Sequence, residues 1–360
     1  MVTETVISDL AIHPGNYLEE VLEEIGMSQT ELANRLGRPP QAVNEIINGK
    51  KSVIPKTALE LEDVLGVPAH IWTGLESEYQ IVKAREEEKA QLQEEAKLLN
   101  RFPYADLKKL GLVKTTQKPI EKVESLRAFF SVAQLSQLAS VKAFQPAFRV
   151  TNHDNVSHEA IATWLEAARQ LSKRVETEPF DKKRLKQRLP ELRALIASSF
   201  ESAIHKAGAI LADCGVALVI LPHFKNTKVQ GATFWLSEQK AALALTTRGS
   251  FADIFWFSFF HEVGHIVLHG HRKVFLEDGT DDPDLQKQEK EADAFASDWI
   301  LPPKAYAAFK QRGQFGKQEI MRFSEEIDLT PDMVLGRLKH DRLVEASRFN
   351  DLKRKITIPV

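Results

Sequence analysis

Residues 251–271, FADIFWFSFFHEVGHIVLHGH, decide how the rest of the chain is read. A run this rich in Phe, Ile and Val, with no Pro, predicts a buried helix. On a helix the i,i+4 spacing sets His261 and His265 on one face, about one turn apart. Two imidazoles so placed can hold one Zn²⁺, and Glu262 beside them is a base able to take a proton from water. Five residues make a short motif that chance also produces in surface helices. The apolar flanks set this one apart, because they exclude water and strengthen electrostatic interactions at the site.

A catalytic zinc site takes three protein ligands and keeps one position open. Downstream, QKQEKEADAFASDWILPP (residues 286–303) predicts a second helix with Glu289 and Asp293 four apart. Ala292 and Ala296 lie on the same face, small enough for a close approach to the first helix. Glu289 is the candidate third ligand, and Asp293 the candidate partner for the free nitrogen of a ligand histidine. Glu291 is the rival ligand; it points about 200° away from Glu289, so one of the two faces the metal.

HEVGHIVLH followed by E-x-E-A-D-x-F-A-x-x-x-x-L-P resembles the ImmA/IrrE group of metallopeptidases, over roughly Ala203 to Pro303. The resemblance implies a zincin-like fold in which His261, His265 and Glu289 are the ligands and Glu262 is the catalytic base. Counting back from Leu301-Pro302, the match falls on Glu289 rather than Glu291. It also implies substrates that are transcriptional repressors.

The 360-residue chain has a formal charge of −2, so no global basic field draws it to nucleic acid. A hydrophobic share of 43% supports ordinary cores. One cysteine, Cys214, excludes an internal disulfide framework and fits a reducing compartment. Glu4 and Asp9 stand where a signal peptide would be basic, and no apolar run reaches a membrane-spanning length. These features predict a cytoplasmic protein with no membrane partner.

Residues 1–75 predict a helical unit. Leu18, Val21, Leu22 and Ile25 form the stripe of a first helix opened by His13-Pro14-Gly15. Ser28 with Glu31 reads as a capping box, and Pro40 opens a helix over PQAVNEIIN. Leu59, Leu61, Val64 and Leu65 are available for packing on a final helix. Helix, tight turn and helix form the helix-turn-helix pattern. From His13 to Gly74 the sequence resembles HigA-type antitoxins and Cro/repressor-like domains, which implies DNA binding through the second helix of the motif. Arg38, Gln41 and Asn44 are the outward positions suited to base edges, and Lys50 and Lys51 suit phosphates. Glu45 departs from the pattern by setting a negative charge near that surface, and two prolines replace the usual Ser/Thr cap.

Residues 76–100 read as a charged connector helix with no apolar stripe. Residues 101–201 form a helical middle region with no catalytic constellation; Phe144–Arg149 read as a groove lining or as core. From 202 to 345, a helix and β-rich runs over VALVILP, QGATFWL and KAALALT predict a small antiparallel sheet beside the active helix. Either Gly231–Leu236 or Ala241–Thr246 would be the edge strand that receives extended substrate. Two short helices come next, the second capped by Thr330-Pro331, with a tail at 346–360. His269, His271 and His340 read as local hydrogen-bonding residues.

The fold class expected is therefore α+β: an all-α helix-turn-helix domain, a helical middle and a zincin-like metallopeptidase domain. The function expected is a DNA-binding, zinc-dependent endopeptidase regulating transcription by cleaving a repressor or antitoxin. A homodimer on operator half-sites is compatible with it. The alternative is an antitoxin-like regulator whose zinc domain is a sensor or scaffold.

Overall fold

The computed structural model describes residues 12–145, 147, 157–247, 251–270, 275–276 and 283–356. The chain divides into two units, residues 1–96 and 97–360.

The first unit is all helical: α1 (Pro14–Ile25), α2 (Gln29–Arg35), α3 (Pro40–Ile47), α4 (Pro55–Leu65) and α5 (Ala69–Ala96). The His13 ring caps α1 by accepting from the Gly15 N–H at 2.8 Å. Ser28 caps α2 by accepting from the Glu31 N–H at 3.1 Å. The Glu31 carboxylate turns to Arg35 at 2.8 Å instead of returning to the cap. Leu18, Leu22, Leu32, Val43, Ile46 and Leu61 make the core, while Ile25 and Leu59 of the expected stripes face solvent.

The connector is not a separate piece. Helix α5 starts at Ala69, and Trp72 on its first turn is fully buried in the core of this unit. Glu76 is buried too, and its carboxylate accepts from the Val53 N–H and from Gln80, each at 2.8 Å. Trp72 falls within the expected unit 1–75, whereas Glu76 was read as the first residue of the charged run.

In the second unit come α6 (Tyr104–Lys109), α7 (Pro119–Phe130), α8 (His158–Arg174), α9 (Lys182–Ala194) and α10 (Phe200–Asp213). A mixed sheet is built from β1 (Val216–Leu221), β2 (Gly231–Ser237), β3 (Lys240–Thr246) and β4 (Phe275–Leu276). Helix α11 (Ala252–His269) precedes β4, and α12 (Pro283–Ile300), α13 (Pro303–Arg312), α14 (Lys317–Glu326) and α15 (Pro331–His340) complete the unit. The core crosses the expected boundary at 201/202: Leu185, Leu189 and Leu192 of α9 share one cluster with Ala203, Leu243 and Phe259. Phe144 is core as well, edge-on to Phe130 at 5.3 Å. Pro146, Phe148, Arg149 and His271 lie outside the described residues.

The strand order β1-β3-β2-β4 corrects the antiparallel expectation. Strands β2 and β3 form a hairpin, but β1 pairs with β3, and in parallel, with Val216 opposite Ala241. A hairpin inserted this way puts β3 inside the sheet, which is why KAALALT is buried at every position after Lys240. Neither candidate edge strand is an edge: β3 is interior, and β2 pairs with β4 at Ala232 and Thr233.

The tail is stitched down. Arg354 donates to Asp332 at 3.0 Å, to the Ile196 carbonyl at 3.0 Å and to Thr330 at 2.9 Å. Thr330 therefore precedes α15 without capping it through its side chain. No helix among the described residues is long and apolar enough to cross a membrane.

Candidate active site

Helix α11 is buried along almost its whole length, as its composition requires. His261, Glu262 and His265 are all at most 2% exposed. Helix α12 approaches closely because Ala292 and Ala296 are buried against it and because Gly264 has no side chain. A Cβ on Gly264 would stand 3.3 Å from the Ala292 Cα and 3.1 Å from the Phe295 ring.

This approach brings three ligand atoms together. The His261 and His265 Nε2 atoms are 2.9 Å apart, and the Glu289 oxygens lie 3.1 Å from the first and 3.4 Å from the second. Donors bound at roughly 2.0–2.2 Å around a tetrahedral ion stand about 3.3 Å from one another, so the set fits zinc. Burial opposes charge on Glu289, but hydrogen bonds from His261 and His265 outweigh it and hold its carboxyl at about 2. Burial also lowers the His265 pKa, favouring the neutral imidazole that a metal needs.

Asp293 Oδ1 sits 2.9 Å from His261 Nδ1, leaving Nε2 as the nitrogen that faces the cluster. Glu291 points elsewhere, with its carboxylate 3.7 Å from His269 Nδ1. The other ring nitrogen of His269 is 3.1 Å from the Gln288 carbonyl, and exposed His340 lies beside Asp341 at 3.3 Å.

Sequence reasoning missed what holds Glu262. Thr233 of β2, itself buried, donates to Glu262 Oε2 at 2.6 Å. Next to it, Gly231 supplies the room: a Cβ there would be 2.6 Å from Glu262 Oε1 and 2.8 Å from its Cγ. The Gly in GATFWL was the available signal. Gly231→Ala should displace the carboxylate. We expect a stability loss of about 1–3 kcal/mol and a fall in any hydrolytic rate of about 100-fold, read by thermal melting and peptide cleavage.

In the first unit, Gln41 and Asn44 are exposed on α3, and Lys50 and Lys51 are exposed just beyond it. Glu45 engages Gln41 on this surface, accepting from its amide at 2.9 Å. Gln29 at the start of α2 was not foreseen; its side chain accepts from Asn44 at 3.4 Å and joins the same surface. Arg38 is drawn away from that surface. Its guanidinium donates to Thr57 at 3.0 Å and pairs with Glu60, tying the turn before α3 to α4. Periodicity marks Arg38 as outward, but Glu60 sits within its reach.

Two families match the two units. Residues 18–72 match the helix-turn-helix family, and residues 250–339 match the IrrE N-terminal-like peptidase family. The second match extends beyond Pro303, where the sequence resemblance stopped, into the last helix, α15. The chain is 33% identical over 81 residues to virulence-associated protein I of Dichelobacter nodosus, covering 22% of this chain and 75% of that protein. It is 27% identical over 71 residues to the uncharacterised HTH-type transcriptional regulator YddM of Escherichia coli, covering 20% of this chain and 76% of that one. Among solved structures, an addiction module antidote of the HigA family from Coxiella burnetii is 34% identical, with 24% and 94% of the two chains covered and a TM-score of 0.22. A Pseudomonas aeruginosa protein crystallised with its operator DNA is 29% identical, with the same coverage and a TM-score of 0.23. The chain thus carries a helix-turn-helix domain in its N-terminal unit and an IrrE N-terminal-like domain in its C-terminal one. It is a DNA-binding regulator fused to a peptidase-like domain.

Proposed function

We propose that the chain is a zinc-dependent endopeptidase that regulates transcription by cleaving a repressor or antitoxin protein. The observation that carries this reading is the convergence of His261, His265 and Glu289 beside the buried carboxylate of Glu262. Zn²⁺ held by those three residues supplies Lewis acidity, bringing the pKa of water toward 7 and polarising a peptide carbonyl.

The remaining steps belong to the chain's own groups. Asp293 fixes the tautomer of His261. Glu262 accepts a proton from the attacking water and delivers it to the departing amine. Thr233 and Gly231 hold that carboxylate in one position, and the apolar residues around α11 exclude bulk water.

The helix-turn-helix unit supports DNA as the second partner, with Gln41 and Asn44 toward bases and Lys50 and Lys51 toward phosphates; a homodimer would match paired half-sites. Replacing Lys50 and Lys51 by Ala should weaken binding to all sequences alike and reduce the salt slope of log K by about 2. Fluorescence anisotropy at several salt concentrations reads this, and an unchanged slope would remove these lysines from the interface.

The proteolytic reading is tested by incubating the zinc-loaded chain with helix-turn-helix repressors and antitoxins of its own genome. New N-termini are then mapped by mass spectrometry. One defined cut, absent with Glu262→Gln, is expected. If the zinc-loaded chain leaves all of them intact, the regulator with a zinc scaffold becomes the better account.

A further inference from the structure

The helical middle region and the loop between β1 and β2 enclose a cavity of about 440 Å³. One wall is residues 100–106 with Lys108 of α6. Another is Thr116, Gln117 and Lys122 around the start of α7, and the third is Lys225 with Asn226. Ser157, just before α8, ties the first and third walls together. Its N–H donates to the Asn226 carbonyl at 2.9 Å and its hydroxyl to the Arg101 carbonyl at 3.2 Å. Tyr104 is buried and donates to the Lys114 carbonyl at 2.7 Å, which fixes the chain between the first two walls. Phe224 and Thr227 are buried on either side of Lys225 and Asn226. Asn226 itself stands at φ +64°, a left-handed conformation that Asn adopts more readily than most residues.

The charge of the lining is unbalanced. Arg101 is paired with Glu159 at 3.0 Å, and Asp106 with Lys109 at 3.6 Å. Lys108, Lys122 and Lys225 come from α6, α7 and the β1–β2 loop, and among the described residues none of them pairs with a carboxylate. The Lys122 ammonium is steadied over the Tyr104 ring, 5.6 Å from its centroid. Like charges lining one cavity repel, and a multivalent anion between them removes the repulsion. Lysine meets phosphate oxygens as a point charge, and three lysines match a phosphorylated molecule better than a single carboxylate. The volume falls within the roughly 300–1,000 Å³ of small-molecule sites, which leaves room for more than bare phosphate. The amides of Asn100, Gln117 and Asn226 in the lining can donate and accept, as a polar ring or sugar requires.

We propose that this cavity binds a phosphorylated small molecule of nucleotide size, with its phosphates among Lys108, Lys122 and Lys225. The site shares no residue with the metal centre, and it stands whether or not the chain is a peptidase. It gives the helical middle region a ligand of its own.

The test is calorimetry on the full chain with ADP, adenosine and tricarballylate, a multivalent anion without phosphorus. ADP is expected to saturate one site and to bind roughly tenfold or more tightly than either of the others. Lys122→Gln and Lys225→Gln should each weaken ADP about tenfold, the cost of one charge-assisted hydrogen bond, and melt as the wild type does. Absence of saturable ADP binding would overturn the proposal. So would ADP binding that both variants keep, since the nucleotide would then sit on zinc or on the helix-turn-helix lysines. Equal affinity for tricarballylate would overturn the choice of phosphate, and equal affinity for adenosine would overturn the role of the lysines. Variants that bind duplex DNA more weakly, in a chain that ignores ADP, would assign the basic wall to the DNA backbone instead.

Discussion

Glu262→Gln should keep the fold and the metal and lose hydrolysis by about 10²–10⁴-fold, the range a general base supplies. Glutamine has the same shape, and its carbonyl oxygen can still accept from the Thr233 hydroxyl that now donates to Oε2 at 2.6 Å. Gly231 leaves the space its end group needs. The atoms grouped so that they could hold the ion belong to His261, His265 and Glu289, so removing the negative charge at 262 leaves that group intact. What disappears is the ability to take a proton from water. Initial rates of peptide cleavage, measured beside zinc content, separate the two roles. A variant that keeps zinc and cleaves at the wild-type rate would exclude Glu262 as the base.

Glu289→Ala should have the opposite signature, with metal and activity lost together. Glu289 is the one acidic residue of the cluster, and its carboxylate spans both imidazoles at 3.1 and 3.4 Å. Removing it leaves two neutral ligands on α11, and affinity should fall by more than the roughly 10–100-fold seen when a mere supporting partner is deleted. Glu291→Ala is the control. Its carboxylate lies beside His269, and the variant should hold zinc as the wild type does. Competition with a fluorescent chelator measures both. If Glu291→Ala released the metal and Glu289→Ala retained it, the ligand assignment would be reversed.

The convergence of His261, His265, Glu289 and Asp293 was legible because every member obeys a helical period. His261 and His265 are four apart, Glu289 and Asp293 are four apart, and small residues between the helices set their spacing. The support for Glu262 was not legible, since Thr233 meets it across 29 positions of sequence. Local pattern says that GATFWL is a strand; it does not say which strand lies beside it. The sheet order failed for the same reason. Each strand was readable from its own residues, but the parallel pairing of β1 with β3 depends on where the hairpin inserts. The unbroken apolar run AALAL, residues 241–245, carried a hint, because a near-continuous apolar run suits an interior strand better than an edge. Arg38 shows the limit of reading a face from periodicity: Glu60, 22 positions away, captures its guanidinium. The expected boundary at 75/76 falls inside α5, because Glu76 opens the charged run in sequence yet is buried and accepts from the Val53 N–H.

The most direct measurement of the central claim is the zinc content of the full chain, purified without added metal and dialysed against a weak chelator. The account predicts about one zinc per chain, and none when His261 and His265 are both replaced by Ala. A wild-type chain without zinc, or a double variant that retains as much of it, would contradict the account, since the ion would then be absent or bound elsewhere.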